Sequence, residues 1–329
     1  MIIGILHFSN RPKLNSHKLS TNLKLLRDSI KAMGHKPKII RNDKCQLHYT
    51  SQLTEVLYNG KPFPKVDVII PRFDIIEDVA LSATIVDQLK IQGIPVIQEY
   101  KSLVRAKNKL RTLQFMTRDG IPVPNTIVVK RFEYLDIAIQ KIGGFPIIIK
   151  TPFGSLGKGV AIVESRRALN SSFDMLLMSP QFSYILIQEY VEEAGGKDIR
   201  IFVVDGKVVA AMERASASGD FRSNLAQGGN GVVAHLSKRE EEIAIAAAES
   251  LRLKIAGVDV LRSKHGPVIM EVNCNPGLKG ITEVTGIDVA GEIVKYAVKY
   301  AKKQMKLKNL KLKKKPKSKN VKPNKKSRG

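Results

Sequence analysis

The chain has 329 residues, which is enough for two or three domains with a substantial core. Its formal net charge is +25, yet residues 302–329 hold 14 Lys or Arg and no acid, so the rest carries only +11. Two cysteines exclude a disulfide framework, and the lack of about 18 consecutive apolar residues excludes a membrane-spanning helix. The N-terminus lacks the basic leader and long apolar run of a signal peptide, so we predict a cytoplasmic protein without membrane contact.

The first 95 residues alternate between strand and helix patterns. MIIGILHF, KPKII, VDVIIPR and IPVI predict strands, and apolar residues at helical spacing predict helices over 19–33 and 80–93. This alternation predicts an open α/β domain over residues 1–95. No GxGxxG follows the first strand, so we predict no dinucleotide site in this domain.

The next segment predicts a second unit over residues 96–185. A helix over about 102–119 precedes the strand PVPNTIVV, and a helix over 132–142 leads into the buried strand GGFPIIIK. After residue 185 strands dominate, with YILIQEY, DIRIFVV and KVVAAMER, a helix over 238–251 and a hairpin. We therefore predict an α/β protein whose third unit, residues 186–301, is α+β, followed by a tail over 302–329.

The stretch PFGSLGKGV places Gly154, Gly157 and Gly159 between two strands. Closely spaced glycines let backbone N–H groups approach an anion, although a flexible hairpin turn explains the same pattern. Its lysine is followed by Gly, so this is not a Walker A loop. Lys150 ends the preceding buried strand, which favours a ligand beside the loop over a solvated lysine. Lys109 lies in a helix rich in basic residues, where a solvated face is an equally good explanation.

Two neighbouring strands near the C-terminal end carry acidic residues. In VIMEVNCNPG, Glu271, Asn273 and Asn275 occupy every second position, so an extended strand places them on one face. The preceding strand IAGVDVLRS carries Asp259, and pairing about the turn between them places Asp259 opposite about residue 272. Burying two carboxylates together without a cation is costly, and oxygen ligands suit Mg²⁺ or Mn²⁺. The alternative is a polar strand face that meets solvent.

The motifs around these sites resemble the ATP-grasp ligases when they are taken together: Lys109, strand-ending Lys150, GSLGKG, QEYV, DIRIFVV, FRSN, VDVLRS and MEVNCNPG. The resemblance is strongest to RimK-type glutamate ligases, which add glutamate to the C-terminus of a small-subunit ribosomal protein. It covers about residues 1–300 and includes long phrases such as EEAGGKDIRIFVVDGKVVAAM. The resemblance implies an ATP-grasp fold with an N-terminal pre-ATP-grasp domain.

The resemblance also implies roles for individual residues. The implied nucleotide contacts are Lys109, Lys150 and the glycines Gly154, Gly157 and Gly159 at the phosphates, with Lys150 also near the adenine, Glu189 and Tyr190 at the adenine, Asp198 at the ribose, and the triplet Arg222, Ser223 and Asn224. Two Mg²⁺ or Mn²⁺ ions would be bound by Asp259, Glu271 and Asn273, between the β- and γ-phosphates.

The implied chemistry is activation of an acceptor carboxylate by ATP, followed by attack of an amino acid's amine on the acyl phosphate. Such a reaction depends on positioning and charge neutralisation more than on a protein nucleophile. We expect Arg222 and Asn273 to stabilise the reacting groups. Arg72, Arg200 and Arg214 are candidate contacts for substrate carboxylates.

The lysine-rich tail predicts a disordered segment, with Leu307, Leu310 and Leu312 extending the preceding helix briefly. A polycation binds RNA, ribosomes or acidic peptides through their charge, but a solubilising extension explains the tail equally simply. Three functions stay open: a glutamate ligase acting on a protein C-terminus, a ligase acting on a small molecule (a dipeptide, a cofactor tail or poly-glutamate), and a catalytically inactive RNA- or ribosome-binding protein. The family resemblance also raises the expectation of a homo-oligomer.

Overall fold

The computed structural model describes residues 1–8, 19–73, 79–151, 159–177, 184–216 and 230–314. Within those ranges the helices are α1 (Thr21–Ala32), α2 (Val79–Ile91), α3 (Tyr100–Lys107), α4 (Lys109–Arg118), α5 (Leu135–Ile142), α6 (Arg166–Leu177), α7 (Lys238–Ser250), α8 (Lys279–Thr285) and α9 (Val289–Lys314). The strands are β1 (Ile2–Phe8), β2 (Lys36–Arg41), β3 (Cys45–Tyr49), β4 (Thr54–Tyr58), β5 (Lys61–Pro62), β6 (Val68–Phe73), β7 (Thr126–Val129), β8 (Ile147–Lys150), β9 (Val160–Val163), β10 (Ile185–Glu189), β11 (Lys197–Val204), β12 (Lys207–Ala215), β13 (Asn230–Val233), β14 (Ile255–Ser263) and β15 (Gly266–Asn273).

The N-terminal layer is a parallel sheet in the order β2-β1-β6. Alternate residues of β1 enter two different cores, with Ile3 and Ile5 facing α1 and α9 and Leu6 facing α2. The predicted fourth strand, IPVI, is only an isolated bridge between Ile69 and Val96. A small antiparallel sheet in the order β3-β4-β5, which the sequence patterns did not predict, follows β2.

A four-stranded antiparallel sheet in the order β7-β10-β8-β9 follows the N-terminal layer. Its strands alternate between two faces, and Ile147, Ile149, Ile185 and Ile187 pack on one side with α5 and α6. The opposite face carries Lys150 at the end of β8. The run IIIK is therefore two-sided, with a core face and a second face that ends on a lysine.

The five-stranded antiparallel sheet, in the order β13-β12-β11-β14-β15, carries the chemistry. One face packs on α7 through apolar residues of β11, β14 and β15. The other face is divided along the strands. At one end Phe202, Val204 and Met212 are buried in the same core as α9, while the other end carries charged residues. Burial of the first half against the N-terminal layer leaves the charged half as the wall of the candidate site.

Several predicted boundaries need correction. The single helix predicted over 102–119 is two helices, because the Asn108 side chain accepts the backbone N–H of Arg111 and caps a new helix that begins at Lys109. The helices α6 and α8 were not predicted as helices at all. The predicted extension of the last helix through the leucines is confirmed, since α9 continues to Lys314.

The final helix leaves the body of the protein after Ala301, which is fully buried. Lys302 and Lys303 are exposed, and so are nearly all the side chains from there to residue 310. Lys299 anchors the helix by an ion pair of 2.7 Å between its Nζ and the Oδ2 of Asp205, in the turn that joins β11 and β12. Among the residues that the structure describes, no helix combines the length and apolar character needed to cross a membrane.

Candidate functional site

The charged end of the five-stranded sheet collects residues from four adjacent strands on one face. The alternation that sends Ile199, Ile201 and Val258 toward α7 sends their polar neighbours to the opposite face. The residues of that face are Asp198 and Arg200 on β11, Arg214 on β12, Asp259 on β14, and Glu271 and Asn273 on β15. The sequence motifs that seemed unconnected are thus neighbours across a single sheet.

A β-bulge sets the two central acids opposite each other. The hairpin pairs Val260 with Ile269, but the next pair is Asp259 with Glu271, so Met270 is the extra residue. The sequence placed the partner of Asp259 at about residue 272, within one residue of Glu271, and the observed pairing agrees with this. A hairpin without the bulge would put Asp259 opposite Met270, so the irregularity is what aligns the carboxylates.

The strand β15 ends at Asn273, and Asn275 lies in the bend that follows. The prediction that Asn275 continues the strand face was therefore wrong. The backbone N–H of Asn275 donates to the Oδ1 of Asn273 at 2.9 Å, which holds the Asn273 side chain over the turn. Asn273 itself sits opposite Gly257 on β14. Position 257 requires glycine, because a Cβ there would lie 2.7 Å from the Cβ of Pro276 and 3.2 Å from the Cδ of Arg200.

Two arginines neutralise the buried carboxylates. Arg200 makes a bidentate contact with Asp259, in which Nε faces Oδ1 and Nη2 lies 2.9 Å from Oδ2. Arg214 makes a bidentate contact with Asp198 at 2.6 and 2.7 Å, and its Nη2 also lies 3.1 Å from Oδ2 of Asp259. The four side chains form a chain of alternating charge across β12, β11 and β14.

The electrostatics of this cluster follow from the pairing. Burial by itself would raise the pKa of Asp259, but the guanidinium groups of Arg200 and Arg214 outweigh it and lower the pKa. Burial likewise opposes the charge on Arg214, and the two carboxylates more than restore it, so the pKa of Arg214 is raised. Asp259 and Arg214 are therefore both ionised at neutral pH.

Lys150 reaches this cluster from the four-stranded sheet. It is buried, with 9% of its surface exposed, and burial lowers its pKa to about 8. Glu271 and Asp259 favour its charged form, whereas Lys109 opposes it. Burial also lowers the pKa of Lys109, with Glu271 acting in the opposite direction. The sequence left open whether Lys109 lies on a solvated helix face. The structure places it half-buried at the start of α4, beside the candidate site.

A row of polar side chains holds the Lys150 ammonium. Its Nζ donates to the Oε1 of Gln188 at 2.6 Å, and the Nε2 of Gln188 donates to the Oγ1 of Thr126 at 2.7 Å. Gln188 is buried at 4% exposure. Neither Gln188 nor Thr126 was predicted as a site residue. The available signal was one polar residue on the non-core face of an otherwise apolar strand, ILIQE.

The remaining predicted residues are placed around these groups. Glu189 and Tyr190 are half-buried where β10 ends, and the Glu189 N–H donates to the carbonyl of Asn125 at 2.9 Å. The Nη2 of buried Arg72 donates to the carbonyl of Pro276 at 2.8 Å and ties the N-terminal layer to the turn after β15.

The described part of the glycine loop is its base. Thr151 donates its N–H to the carbonyl of Gly159 at 2.8 Å, and Gly159 has a φ of +73°. A Cβ at Gly159 would also collide with the Thr151 Oγ1, so two constraints require glycine there. The predicted contacts Gly154, Gly157, Arg222, Ser223 and Asn224 lie outside the described residues.

Comparisons with known proteins address the fold and the chemistry. A family model for the RimK PreATP-grasp domain matches residues 5–103, and one for the RimK-like ATP-grasp domain matches residues 106–297. The chain belongs to the RimK-like ATP-grasp family. A relative from Pseudoalteromonas atlantica, named probable alpha-L-glutamate ligase 2, is 40% identical over 280 residues, which span 85% of this chain and 92% of the relative. The protein is accordingly an ATP-dependent ligase, as predicted.

Solved structures of ATP-grasp proteins share the fold at low identity. A RimK domain protein from Sphaerobacter thermophilus has a TM-score of 0.64 and 20% identity, covering 91% of this chain and 100% of that one. The ATP-grasp ligase PsnB, in a complex with minimal precursor, Mg and ADP, has a TM-score of 0.68 and 15% identity, covering 91% and 98%. These likenesses confirm the predicted ATP-grasp fold with its N-terminal pre-ATP-grasp domain.

The donor set of the ATP-grasp site fits a divalent cation bound with a polyphosphate. Among the described residues no three His, Cys, Asp or Glu side chains form a metal cluster. The candidate cation ligands are the carboxylates of Asp259 and Glu271 and the carboxamide of Asn273. These oxygen ligands suit Mg²⁺ better than zinc. The described cluster holds three acids, namely Asp198, Asp259 and Glu271, against four cations, namely Arg200, Arg214, Lys109 and Lys150, and this excess of positive charge suits phosphates.

Proposed function

We propose that this ATP-grasp protein adds L-glutamate to the C-terminal carboxylate of a protein, through an acyl-phosphate intermediate. The observation that carries the proposal is the pair of Asp259 and Glu271, aligned by the bulge beside the buried ammonium of Lys150. Two carboxylates beside an ammonium suit the binding of a metal–nucleotide complex better than they suit covalent catalysis by a protein nucleophile. The name of the relative from Pseudoalteromonas atlantica supports glutamate as the donor.

The cofactor proposal extends to two Mg²⁺ or Mn²⁺ ions held by Asp259, Glu271 and Asn273. When bound, the ions would neutralise charge on the β- and γ-phosphates and polarise the transferred phosphoryl group. The complex of PsnB with Mg and ADP supports Mg²⁺. No third carboxylate is needed, because Mg²⁺ keeps waters and shares its coordination with phosphate oxygens.

Arg200 and Arg214 couple the proposed binding of the metal ion to the proposed binding of the nucleotide. Both oxygens of Asp259 contact guanidinium groups, so a cation bound at Asp259 would compete with the arginines for these oxygens. Phosphate oxygens offer a released guanidinium an equivalent bidentate partner. We infer that metal and nucleotide bind together better than either does alone. The same exchange would make the two arginines available to a substrate carboxylate, as the sequence analysis expected.

The nucleotide contacts are proposed residue by residue. Lys109, Lys150 and the glycines Gly154, Gly157 and Gly159 would contact the phosphates, with Lys150 also near the adenine. Glu189 and Tyr190 would hold the adenine, Asp198 the ribose, and Arg222, Ser223 and Asn224 would add contacts.

In the proposed reaction, an acceptor carboxylate oxygen attacks the γ-phosphorus of ATP and ADP leaves, which gives an acyl phosphate. The glutamate amine then attacks the acyl carbon, phosphate leaves and the nitrogen loses a proton, which gives an amide. Arg222 and Asn273 would stabilise the charged acyl phosphate and the tetrahedral intermediate. Arg72 is proposed as a substrate contact through the turn that it supports at Pro276.

The acceptor is proposed to be a small-subunit ribosomal protein. The competing proposal is a small-molecule acceptor, such as a dipeptide, a cofactor tail or a growing poly-glutamate chain. The experiment is ADP release measured with each amino acid as donor and three acceptors: the ribosomal protein's C-terminal peptide, free dipeptides and glutamate itself. Glutamate-dependent ADP release with the peptide, and a mass increase of one or more glutamyl units, supports the first proposal. ADP release only with small acceptors refutes it.

The basic tail is proposed to bind a polyanion such as RNA or the ribosome. Nearly all side chains from Lys302 to residue 310 are exposed on a helix that leaves the body after Ala301, and seven lysines lie between residues 302 and 314. Among the α9 residues whose side chains the structure describes, all the buried ones lie at or before Ala301 and are kept in a chain cut there. We expect it to retain ligase turnover and to lose ribosome co-sedimentation at low salt. Equal co-sedimentation of the cut and complete chains would rule out the tail as the contact.

The domain boundaries also stand as proposals: 1–95 for the pre-ATP-grasp domain, 96–185 and 186–301 for the two ATP-grasp subdomains, and 302–329 for the lysine-rich tail, whose first part is the end of α9. A homo-oligomer is proposed on the strength of the family alone, and a cytoplasmic location on the cysteine content and apolar pattern of the sequence. Sedimentation equilibrium on the complete chain would settle the first, and cell fractionation the second.

A further inference from the structure

The carboxamide of Gln188 occupies a defined place in the four-stranded sheet. Gln188 lies on β10 between β7 and β8, directly opposite Thr126 on one side and Ile148 on the other. Lys150 is two residues beyond Ile148, so it shares that face. The three polar side chains form one row across three strands, on the side away from the isoleucine core.

The hydrogen bonds in the row fix which way the amide of Gln188 points. The hydroxyl of Thr126 donates to the carbonyl of Pro124 at 2.8 Å, so it must accept from Gln188. The Nε2 group therefore faces Thr126 and the Oε1 atom faces Lys150. A flipped amide would place an NH₂ group against an ammonium, which has donors only. The orientation is thus set from both ends of the row.

We propose that Gln188 is the positioning residue for Lys150, and that Thr126 acts through Gln188 by fixing its amide. Lys150 is buried and its flexible stem could direct the ammonium to several places, yet the 2.6 Å contact with Oε1 holds it in one. A neutral acceptor does this without cancelling the positive charge that a phosphate requires. Glu271, Asp259 and Lys109 supply the other charges around this ammonium. This inference rests on the proposed nucleotide role of Lys150.

The test is a double-mutant cycle on ATP affinity, measured by titration calorimetry on the complete chain with Mg²⁺ present. Gln188→Met conserves volume and removes the acceptor, and Lys150→Met removes the ammonium. We expect Gln188→Met to weaken ATP binding about tenfold, because a hydrogen bond to a charged group is lost. In the Lys150→Met background the same change should alter affinity by less than about twofold.

Adenosine separates this role from a direct contact with the base. If Gln188 acts through Lys150 on the phosphates, Gln188→Met leaves adenosine affinity unchanged within about twofold. An undiminished loss of ATP affinity or of adenosine affinity in the Lys150→Met background would overturn the proposal while leaving the nucleotide site intact. ATP binding of Lys150→Met at the wild-type affinity would overturn both the role of Lys150 and this inference.

Two further variants guard against a folding effect. Gln98 is another buried glutamine, which bridges the carbonyl of Ile255 and the N–H of Lys254. Gln98→Met should lower the melting temperature and leave ATP affinity unchanged. Thr126→Val releases the amide of Gln188 without removing it and should weaken ATP binding about threefold, with no further loss in the Gln188→Met background. If the effect of Thr126→Val on ATP affinity adds to that of Gln188→Met, Thr126 does not act through Gln188.

Discussion

Replacement of Asp259 by Asn separates the structural and chemical contributions of the aligned acids. Asp259 is 3% exposed and accepts two hydrogen bonds from Arg200 and one from Arg214. Asn keeps one acceptor oxygen and removes the charge, so at least one arginine contact is lost and Arg200 is left without its counter-ion. Breaking a buried ion pair of this kind costs about 3–5 kcal/mol of unfolding free energy.

The matched control is Glu271→Gln at the directly opposed position. Glu271 is only half-buried, and its charge favours the ammonium forms of Lys109 and Lys150. We expect Glu271→Gln to cost less unfolding free energy than Asp259→Asn, about 1–2 kcal/mol, because it removes a partly solvated charge near two ammonium groups rather than a fully buried ion pair. Both variants should lose ligase turnover. Urea unfolding followed by circular dichroism gives the two free energies.

The difference in unfolding free energy between the two variants tests whether Asp259 is the counter-ion of the two arginines. If Asp259→Asn is as stable as the wild-type chain, then Asp259 is not the counter-ion that holds the two arginines. If Glu271→Gln loses as much stability as Asp259→Asn, the opposed acid also has a structural role that the described contacts do not include.

Three further outcomes are expected. ATP affinity should fall as the pH rises above about 8, because the free protein then loses the proton of Lys150 and bound phosphates favour the protonated ammonium. Lys150→Arg should remove this pH dependence. The same pH profile in Lys150→Arg as in the wild type would contradict the assignment to Lys150. Gly159→Ala should lower ATP affinity, because its φ of +73° and the Thr151 hydroxyl both exclude a methyl group, and wild-type affinity would show that the loop base does not matter. Gly257→Ala should cost about 1–3 kcal/mol of stability, because its Cβ would lie 2.7 Å from that of Pro276, and an unchanged urea midpoint would refute this packing.

The predicted fold followed from the spacing of apolar residues, and the observed helices and strands agree with that spacing. Alternation in β1 and β6 and helical spacing in α1 and α7 depend on local burial, which the sequence displays directly. The small sheet of β3, β4 and β5 was missed because its residues are mostly half-exposed and lack a clean alternation. The break at Asn108 was missed because a cap depends on one hydrogen bond rather than on a pattern.

The candidate site was predictable in its residues but not in its pairing. Asp259 and Glu271 stood out as acids in apolar strands, but their direct opposition depends on the bulge at Met270, which has no sequence signature. The partnership of Asp198 with Arg214 joins residues 16 positions apart and appears only once β11 and β12 pair. Such contacts depend on register, which a strand pattern by itself leaves uncertain.

The central claim is that the charged end of the five-stranded sheet is the metal edge of a site for ATP-dependent glutamate ligation. The most direct measurement is glutamate-dependent ADP release by the complete chain with Mg²⁺, comparing the wild type with Glu271→Gln. The account predicts release that requires both glutamate and an acceptor, and its loss in a variant that remains folded. ADP release by Glu271→Gln at the wild-type rate would contradict the assignment of the metal edge.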